Sequence, residues 1–318
     1  MVDAATGHAP ILTITINPAL DVTTSVGRVV AEHKMRCGPT RLDPGGGGIN
    51  VSRAIRNLGG TSTALFAAGG PTGQAYRELI EDEGVTARAI RIAGSTRESF
   101  TVNETDTGQQ FRFVLQGPEL SEVEWGAVLA AAEELPSGGY VVASGSLPPG
   151  VPDDFYARIA RAAQRHGARA VIDSSGPALR AALDEGVYLV APSRRELAEL
   201  VGTALDDVEA QIAAARLLIE EGRSELVALT LGGAGAVLVS AEAVLRLPAA
   251  QVQVRSTVGA GDAFLAGLVL RLAQGRPVAD AFRTAAAAGA ATAALPGTEL
   301  CGAEHVALLE VELAAAWM

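Results

Sequence analysis

Two glycine-rich stretches carry the residue types that could do chemistry. The first, TVGAGDAF at residues 257–264, sets Gly259, Gly261 and one carboxylate, Asp262, immediately before the apolar run LAGLVLRLA. Glycines reach backbone conformations closed to other residues, so successive amides at this helix start can converge on one point. The helix dipole and unpaired N–H groups favour negative charge there, and a transferring phosphoryl group, with charge spread over its peripheral oxygens, suits such a cradle. Asp262 then has two readings: it caps the helix, or it orients an attacking hydroxyl and accepts its proton. The positive helix end is expected to lower its pKa.

The second stretch, DPGGGGINVSRAIRNLGG at residues 43–60, runs Gly45 to Gly48 into a helix whose Ile49, Ala54, Ile55 and Leu58 follow helical spacing. Four glycines lose more conformational entropy on ordering than a tight turn requires, which points to a loop that admits close ligand approach. Asn50 offers a donor and an acceptor to sugar hydroxyls, with helix capping as the alternative. Asp21, in NPALD, could hold two vicinal hydroxyls or close a turn. Arg97, in STRES, is a charge beside an extended segment or a planar fork for a phosphate. P-loop, dinucleotide-fold, zincin and hydrolase-elbow motifs are all absent from the chain.

The elements that must position these residues read as strand and helix in alternation. ILTITI (11–16), TALFAAG (63–69), YVVASG (140–145), RAVIDSS (169–175), VYLVAP (187–192) and ELVALTLG (225–232) carry almost no charge, as strands covered on both faces do. Amphipathic segments of helical length, 73–84, 152–167 and 206–222, lie between them, and 277–295 supplies an alanine-rich helix near the end. The order predicts an α/β fold with a doubly wound, mostly parallel sheet flanked by helices, its ligand beyond the carboxyl ends of the strands. Residues 17–44 and 95–116 break the rhythm. The latter reads as a hairpin about DTGQ, and the two together predict a small β-sheet that acts as a lid or a dimer contact. No linker divides the chain, so residues 11–318 are expected to form one domain with the lid segments inserted, after a flexible start at 1–10.

Of 318 residues, 48% are hydrophobic, enough for a sizeable core, and no apolar run approaches the roughly 20 residues that span a bilayer. Without a signal pattern at the start, a cytoplasmic protein is expected. Cys37 and Cys301 form no CxxC pair and read as reduced thiols. A net charge of −11 argues against nucleic acid as a partner, so an anionic ligand needs a local basic site.

The two glycine motifs, in this order and about 200 residues apart, resemble the signatures of the PfkB family of ribokinase-like sugar kinases. RFVLQGPELSEVE, VASGSLPPG, VIDSSGPAL, LTLGGAG and STVGAGDAF follow in family order, and nearly all of residues 11–301 can be matched. The look is nearest to the type 2, non-P-loop 6-phosphofructokinases. Tagatose-6-phosphate and fructose-1-phosphate kinases of the family usually read GGKG where Gly45 to Gly48 stand, which favours fructose 6-phosphate. Those two activities, and a sugar-phosphate sensor, remain alternatives.

The resemblance implies Asp262 as base, with an anion hole from Gly259, Ala260 and Gly261. It implies Asp21, Gly46, Gly47 and Asn50 around the sugar, and Arg97 and Ser146 at its phosphate. Lys34 and Arg112 would be lid residues reaching the site, with a homodimer formed through the lid. Thr230, Gly232, Gly235, Ser193 and Ser256 would lie at ATP, and magnesium would come with it, Glu196 acting on the metal indirectly. One departure stands out: the family's V-K-P-N-x-x-E reads VAPSRRE here, with Ala191 for a lysine and Ser193 for an asparagine. Arg194 or Arg195 either replaces the missing cation or is solvated helix charge. In LPGTELCG (295–302), Leu295 and Glu299 stand where relatives often carry an asparagine and a base near a monovalent-cation loop, which leaves potassium open.

Overall fold

Strand β1 (Ile11–Thr15) is followed by β2 (Ala19–Val26), β3 (Arg41–Gly45), α1 (Gly47–Asn57), β4 (Thr63–Ala68), α2 (Gly70–Asp82) and β5 (Thr86–Arg91). Then come β6 (Arg97–Glu104), β7 (Gln110–Val114), α3 (Glu122–Glu133), β8 (Tyr140–Ser144), α4 (Phe155–Arg165), β9 (Arg169–Asp173) and α5 (Gly176–Glu185). The chain continues through β10 (Val187–Val190), α6 (Arg194–Val201), α7 (Val208–Glu220), β11 (Ser224–Thr230), β12 (Ala236–Val239) and β13 (Val244–Leu247). It closes with α8 (Ala260–Ala273), α9 (Val278–Ala293) and α10 (Ala303–Ala316). The structure is a computed structural model and describes residues 7–134 and 138–316.

Nine strands form one sheet in the order β13-β12-β11-β10-β9-β8-β1-β4-β5, parallel from β5 through β11 and antiparallel at β12 and β13. Alternation along β1 shows how the sheet is covered on both sides. Leu12 and Ile14 enter a core with α3 to α7, whereas Ile11 packs with α1, α8, α9 and α10. Thr13 and Thr15 face α1: the Thr13 hydroxyl is 2.8 Å from that of Ser52, and Thr15 Oγ1 accepts from the Ile49 amide at 3.0 Å. The alanines of α9 let it lie close against α8. A methyl group on Gly267 would come within 3.1 Å of the Thr284 carbonyl, and one on Gly289 within 3.2 Å of that of Ala260.

The strand order reverses between β1 and β8, because the chain leaves β1 towards β4 and β5 and returns on the other side. Such a switch point opens a crevice at the carboxyl ends of the two strands. Over it stands the second sheet, order β3-β2-β6-β7, built from the two segments that interrupt the alternation. Three strands escaped the sequence reading. β5 carries Arg88 and Arg91 on a mostly exposed edge, and β12 and β13 are four residues each.

Of the start expected to be flexible, residues 1–6 lie outside the described residues. His8 is buried and accepts from the Thr61 amide at 3.1 Å, and the Ala9 amide donates to the Ala273 carbonyl, so this part is held to the fold. No described helix is long and apolar enough to cross a membrane.

Candidate active site

A cavity of about 400 Å³ lies at the switch point, between the ends of β1, β8 and β9, the starts of α1 and α8, and the small sheet. Its wall includes Asp21, Gly46, Gly47, Asn50, Arg97, Arg112, Ser146, Glu196, Gly259 and Asp262, residues from both glycine stretches and both lid segments. The glycine run is explained by what surrounds it. A side chain on Gly45 would overlap the Asp21 carboxylate, one on Gly47 would overlap Ser144, and one on Gly48 would meet Thr15 and the Ile14 carbonyl. Gly46 adds a φ of +121°, which disfavours any side chain. The loop is thus crowded by the protein's own site groups, a structural demand larger than a spare-glycine argument allows. From behind, the Tyr76 hydroxyl donates to the Gly45 carbonyl at 2.7 Å.

Asp262 sits in the first turn of α8, behind Gly259, whose φ is 74°. Its side chain caps nothing; Oδ2 instead accepts from Asn50 Nδ2 at 2.9 Å. Burial, reinforced by the Asp21 charge, pushes its pKa up to about 6, against the Asn50 hydrogen bond and the Arg53 charge. The expected lowering by the helix end is therefore overturned, because desolvation of the carboxylate outweighs the dipole. The Ala260 amide makes only a long, 3.4 Å bond to the Thr257 carbonyl, in a turn whose N–H groups have no intrahelical acceptor.

On the small sheet, Asp21 is likewise pushed up to about 6, first by burial and then by Asp43, with Arg112, Arg97 and Arg53 opposing. Arg97 donates through Nη1 to the Leu115 carbonyl and through Nη2 to that of Asn17, each at 3.0 Å, while its buried Nε has no protein partner. It is fixed by the fold, not a loose surface charge. Asn17 Nδ2 donates to the Ser146 hydroxyl at 3.2 Å. Lys34 is exposed in the loop between β2 and β3 and is not on this cavity wall.

Asp173 and Ser144 were missed in the sequence, although polar ends of buried parallel strands at a switch point are the signal for them. Ser144 Oγ donates to Asp173 Oδ2 at 2.9 Å. Asp173 is pushed up to about 7, mainly by burial and then by Asp262 and Glu196. Because that lies above the 3.8 of the free side chain, the folded state holds the proton more tightly and loses stability as pH rises towards 7. Asp173→Asn is expected to raise the Tm of the unliganded protein by a few degrees at about pH 8, a gain that shrinks as pH falls through about 7 towards 4. Thermal melts at several pH values check this.

The sequence matches the pfkB family carbohydrate kinase domain over residues 12–305. The chain belongs to this family. It is 48% identical over 305 residues to ATP-dependent 6-phosphofructokinase isozyme 2 of Mycobacterium tuberculosis, covering 94% of this chain and 88% of that one. It is 34% identical to 1-phosphofructokinase of Bacillus subtilis, over 89% of this chain and 92% of the relative. Phosphofructokinase-2 from Escherichia coli, solved in complex with fructose-6-phosphate, superposes with a TM-score of 0.92 at 36% identity, covering 96% of this chain and 99% of that one. Its potassium complex gives 0.93 at 37%, with the same coverage.

Thr257 and Val258 continue the cavity wall beside the start of α8. Thr230, Gly232, Gly235, Ser193 and Ser256 are not on that wall. Thr230 ends β11 and is exposed, Gly232 begins a single 3₁₀ turn and Gly235 follows its end. Ser256 is buried and braces its loop, donating to the Gly297 carbonyl at 2.7 Å and accepting from the Val258 amide at 3.2 Å. Ser193 caps α6: its hydroxyl accepts from the Glu196 amide, and Glu196 Oε2 accepts from the Ser193 amide at 2.8 Å. Arg195 pairs along its own helix with Glu199 at 3.6 Å and is largely solvated. Glu299 accepts from Arg41 Nη1 at 2.6 Å, and Thr298 donates to Asp43 Oδ2 at 2.7 Å. These bonds tie β3 of the small sheet to the 295–302 loop.

Proposed function

We propose that this kinase transfers the γ-phosphoryl group of ATP to the 1-hydroxyl of fructose 6-phosphate. The observation that carries the reading is Asp262, a carboxylate with a pKa near 6 set in the first turn of α8 on the wall of a cavity whose sugar side carries Arg97 and Arg112. Arg97 and Arg112, with Ser146, receive the 6-phosphate, and Asp21 accepts from ring hydroxyls beside the amides of Gly46 and Gly47. As the new O–P bond forms, the sugar hydroxyl's proton passes to Asp262, the bond to the β-phosphate breaks, and ADP leaves. The amides of Gly259, Ala260 and Gly261 face the charge that develops on the transferred group.

The nucleotide lies over Thr230, Gly232 and Gly235, reaching towards Ser193 and the Ser256 loop. Magnesium fits this site: the carboxyl groups of Asp173, Asp262 and Glu196 all line the cavity, hard oxygen donors of the kind the ion takes. Bound there, it would neutralise charge on the phosphates, with Glu196 acting through water. Potassium is proposed as the monovalent ion, on the likeness to the E. coli enzyme.

The small sheet supports a homodimer. Leu42, Val22, Phe100 and Phe113 are cross-strand neighbours in one row on a single face, with Leu42 45% and Phe113 53% exposed. Pairing two such faces would cover them and carry Lys34 towards the neighbouring subunit. A cytoplasmic location goes with a substrate pair of ATP and a sugar phosphate.

A coupled assay with ATP, magnesium and a panel of fructose 6-phosphate, tagatose 6-phosphate and fructose 1-phosphate tests the reading. The highest kcat/KM is expected for fructose 6-phosphate. Preference for fructose 1-phosphate, or calorimetric binding of the sugar without turnover, overturns it.

A further inference from the structure

We propose that Arg53 is a positioning residue for the proton acceptor: it locks the side-chain amide of Asn50 so that its NH₂ end, and only that end, faces Asp262. The inference rests on the kinase reading and deepens it.

Asn50 and Arg53 lie three residues apart on α1 and so share a face of the helix. Arg53 is buried, and all of its donor groups are engaged. Nη1 donates to Asn50 Oδ1 at 3.2 Å and to the Pro44 carbonyl at 3.3 Å, while Nε and Nη2 donate to the two carboxylate oxygens of Glu83, each at 2.7 Å. Asp43 stands 3.7 Å from Nη2. A guanidinium has donors only and a carboxylate has acceptors only. An asparagine held between Arg53 and Asp262 therefore has a single satisfied orientation. Turned over, it would set NH₂ against guanidinium and carbonyl against carboxylate, leaving two buried polar contacts repulsive.

The series Glu83, Arg53, Asn50, Asp262 thus alternates acceptor and donor from the end of α2 to the cavity. It makes the two oxygens of Asp262 unequal. Oδ2 already accepts from Asn50 and keeps one lone pair, whereas Oδ1, on the Gly47 side, has no hydrogen bond from a described residue and is the better placed to take the proton of the attacking hydroxyl.

Arg53→Met, Asn50→Ala and the double variant, assayed for kcat and KM with ATP, magnesium and fructose 6-phosphate, test this. Arg53→Met is expected to lower kcat roughly tenfold, while adding it to Asn50→Ala costs less than about twofold, because the group it orients is already gone. Additive losses overturn the proposal. Removing Arg53 also strips Glu83 and Asp43 of their counter-charge, so Glu83→Gln, which keeps Arg53 but loosens its clamp, and Arg53→Lys are measured with it. A kcat that follows Tm across these variants, regardless of Asn50, overturns the proposal. A crystal structure of Arg53→Met is expected to show the Asn50 amide rotated away from Asp262, and an unmoved amide overturns it. If the unaltered enzyme has no turnover on this sugar, the functional reading fails instead, and the crystallographic result still decides the role of Arg53.

Discussion

Asp262→Ala is expected to lower kcat by about 10²–10⁴-fold while KM for fructose 6-phosphate changes little, because in the proposed reaction the base acts on the hydroxyl in the transition state and the sugar is held elsewhere. A proton acceptor works best with a pKa near the operating pH, and a carboxylate at about 6 is closer to that than one at the ordinary 3.8. The shift comes from burial and from Asp21, and is opposed by Asn50 and Arg53; Asp173 is the other acid that senses Asp262. Activity is expected to fall as pH drops through about 6, since the protonated acid cannot accept a second proton. Asp262→Asn should match the alanine variant in kcat yet melt higher than the unaltered enzyme at about pH 8. The raised native pKa means that the ionised form destabilises the fold above it. Loss of activity with gain of stability is the pattern of a functional group; loss of both would mark a helix cap. Steady-state kinetics and melts on the two variants separate these outcomes, and an intact kcat in Asp262→Ala would remove Asp262 from the mechanism.

What the sequence shows well is local. Both glycine stretches, the alternation of apolar strands with amphipathic helices, and the candidacy of Asp262 depend on residues close together in the chain. β5 was hidden because TARAIR is an edge strand with exposed arginines, and its place beside β4 is fixed only by tertiary pairing. The pKa of Asp262 went the opposite way to the helix-end argument, because the field of a helix is local whereas desolvation requires Asn50 and the small sheet to close over the site. Asp173 owes its raised pKa first to burial and then to Asp262 on another element, with the hydrogen bond from Ser144, 29 residues away, opposing. Arg53 reads as one more charge on an amphipathic helix until Glu83 and Asn50 are seen on either side of it. Ser193 went unread in the same way: the structure shows it in a capping box with Glu196, whose S-x-x-E spacing is present in VAPSRRE.

Gly47→Ala, a single added methyl group, is expected to lower kcat/KM about 10²-fold, since a displacement near 1 Å at a reacting group has an effect of that size. The methyl would overlap the Ser144 hydroxyl, press on its Cβ at 2.9 Å and come within 3.3 Å of Asp262 Oδ1. Rotating Ser144 gives no relief, because its Cβ is itself too near and its hydroxyl is committed to Asp173. The glycine loop must therefore retreat from β8, and it takes the start of α1, and with it Asn50, away from Asp262. Overpacking of this kind costs about 1–3 kcal/mol, so Tm should fall as well. Gly126→Ala is the matched control: that glycine lies inside α3 with nothing within 4 Å of the new methyl, and the change should leave kinetics alone and raise Tm slightly. Adding Ser144→Gly to Gly47→Ala removes the nearest obstruction and should recover part of Tm. If kcat/KM recovers with it, the retreat of the loop from β8 caused the loss. If Tm recovers and kcat/KM does not, the methyl group acts directly on Asp262 Oδ1, the oxygen assigned to receive the proton.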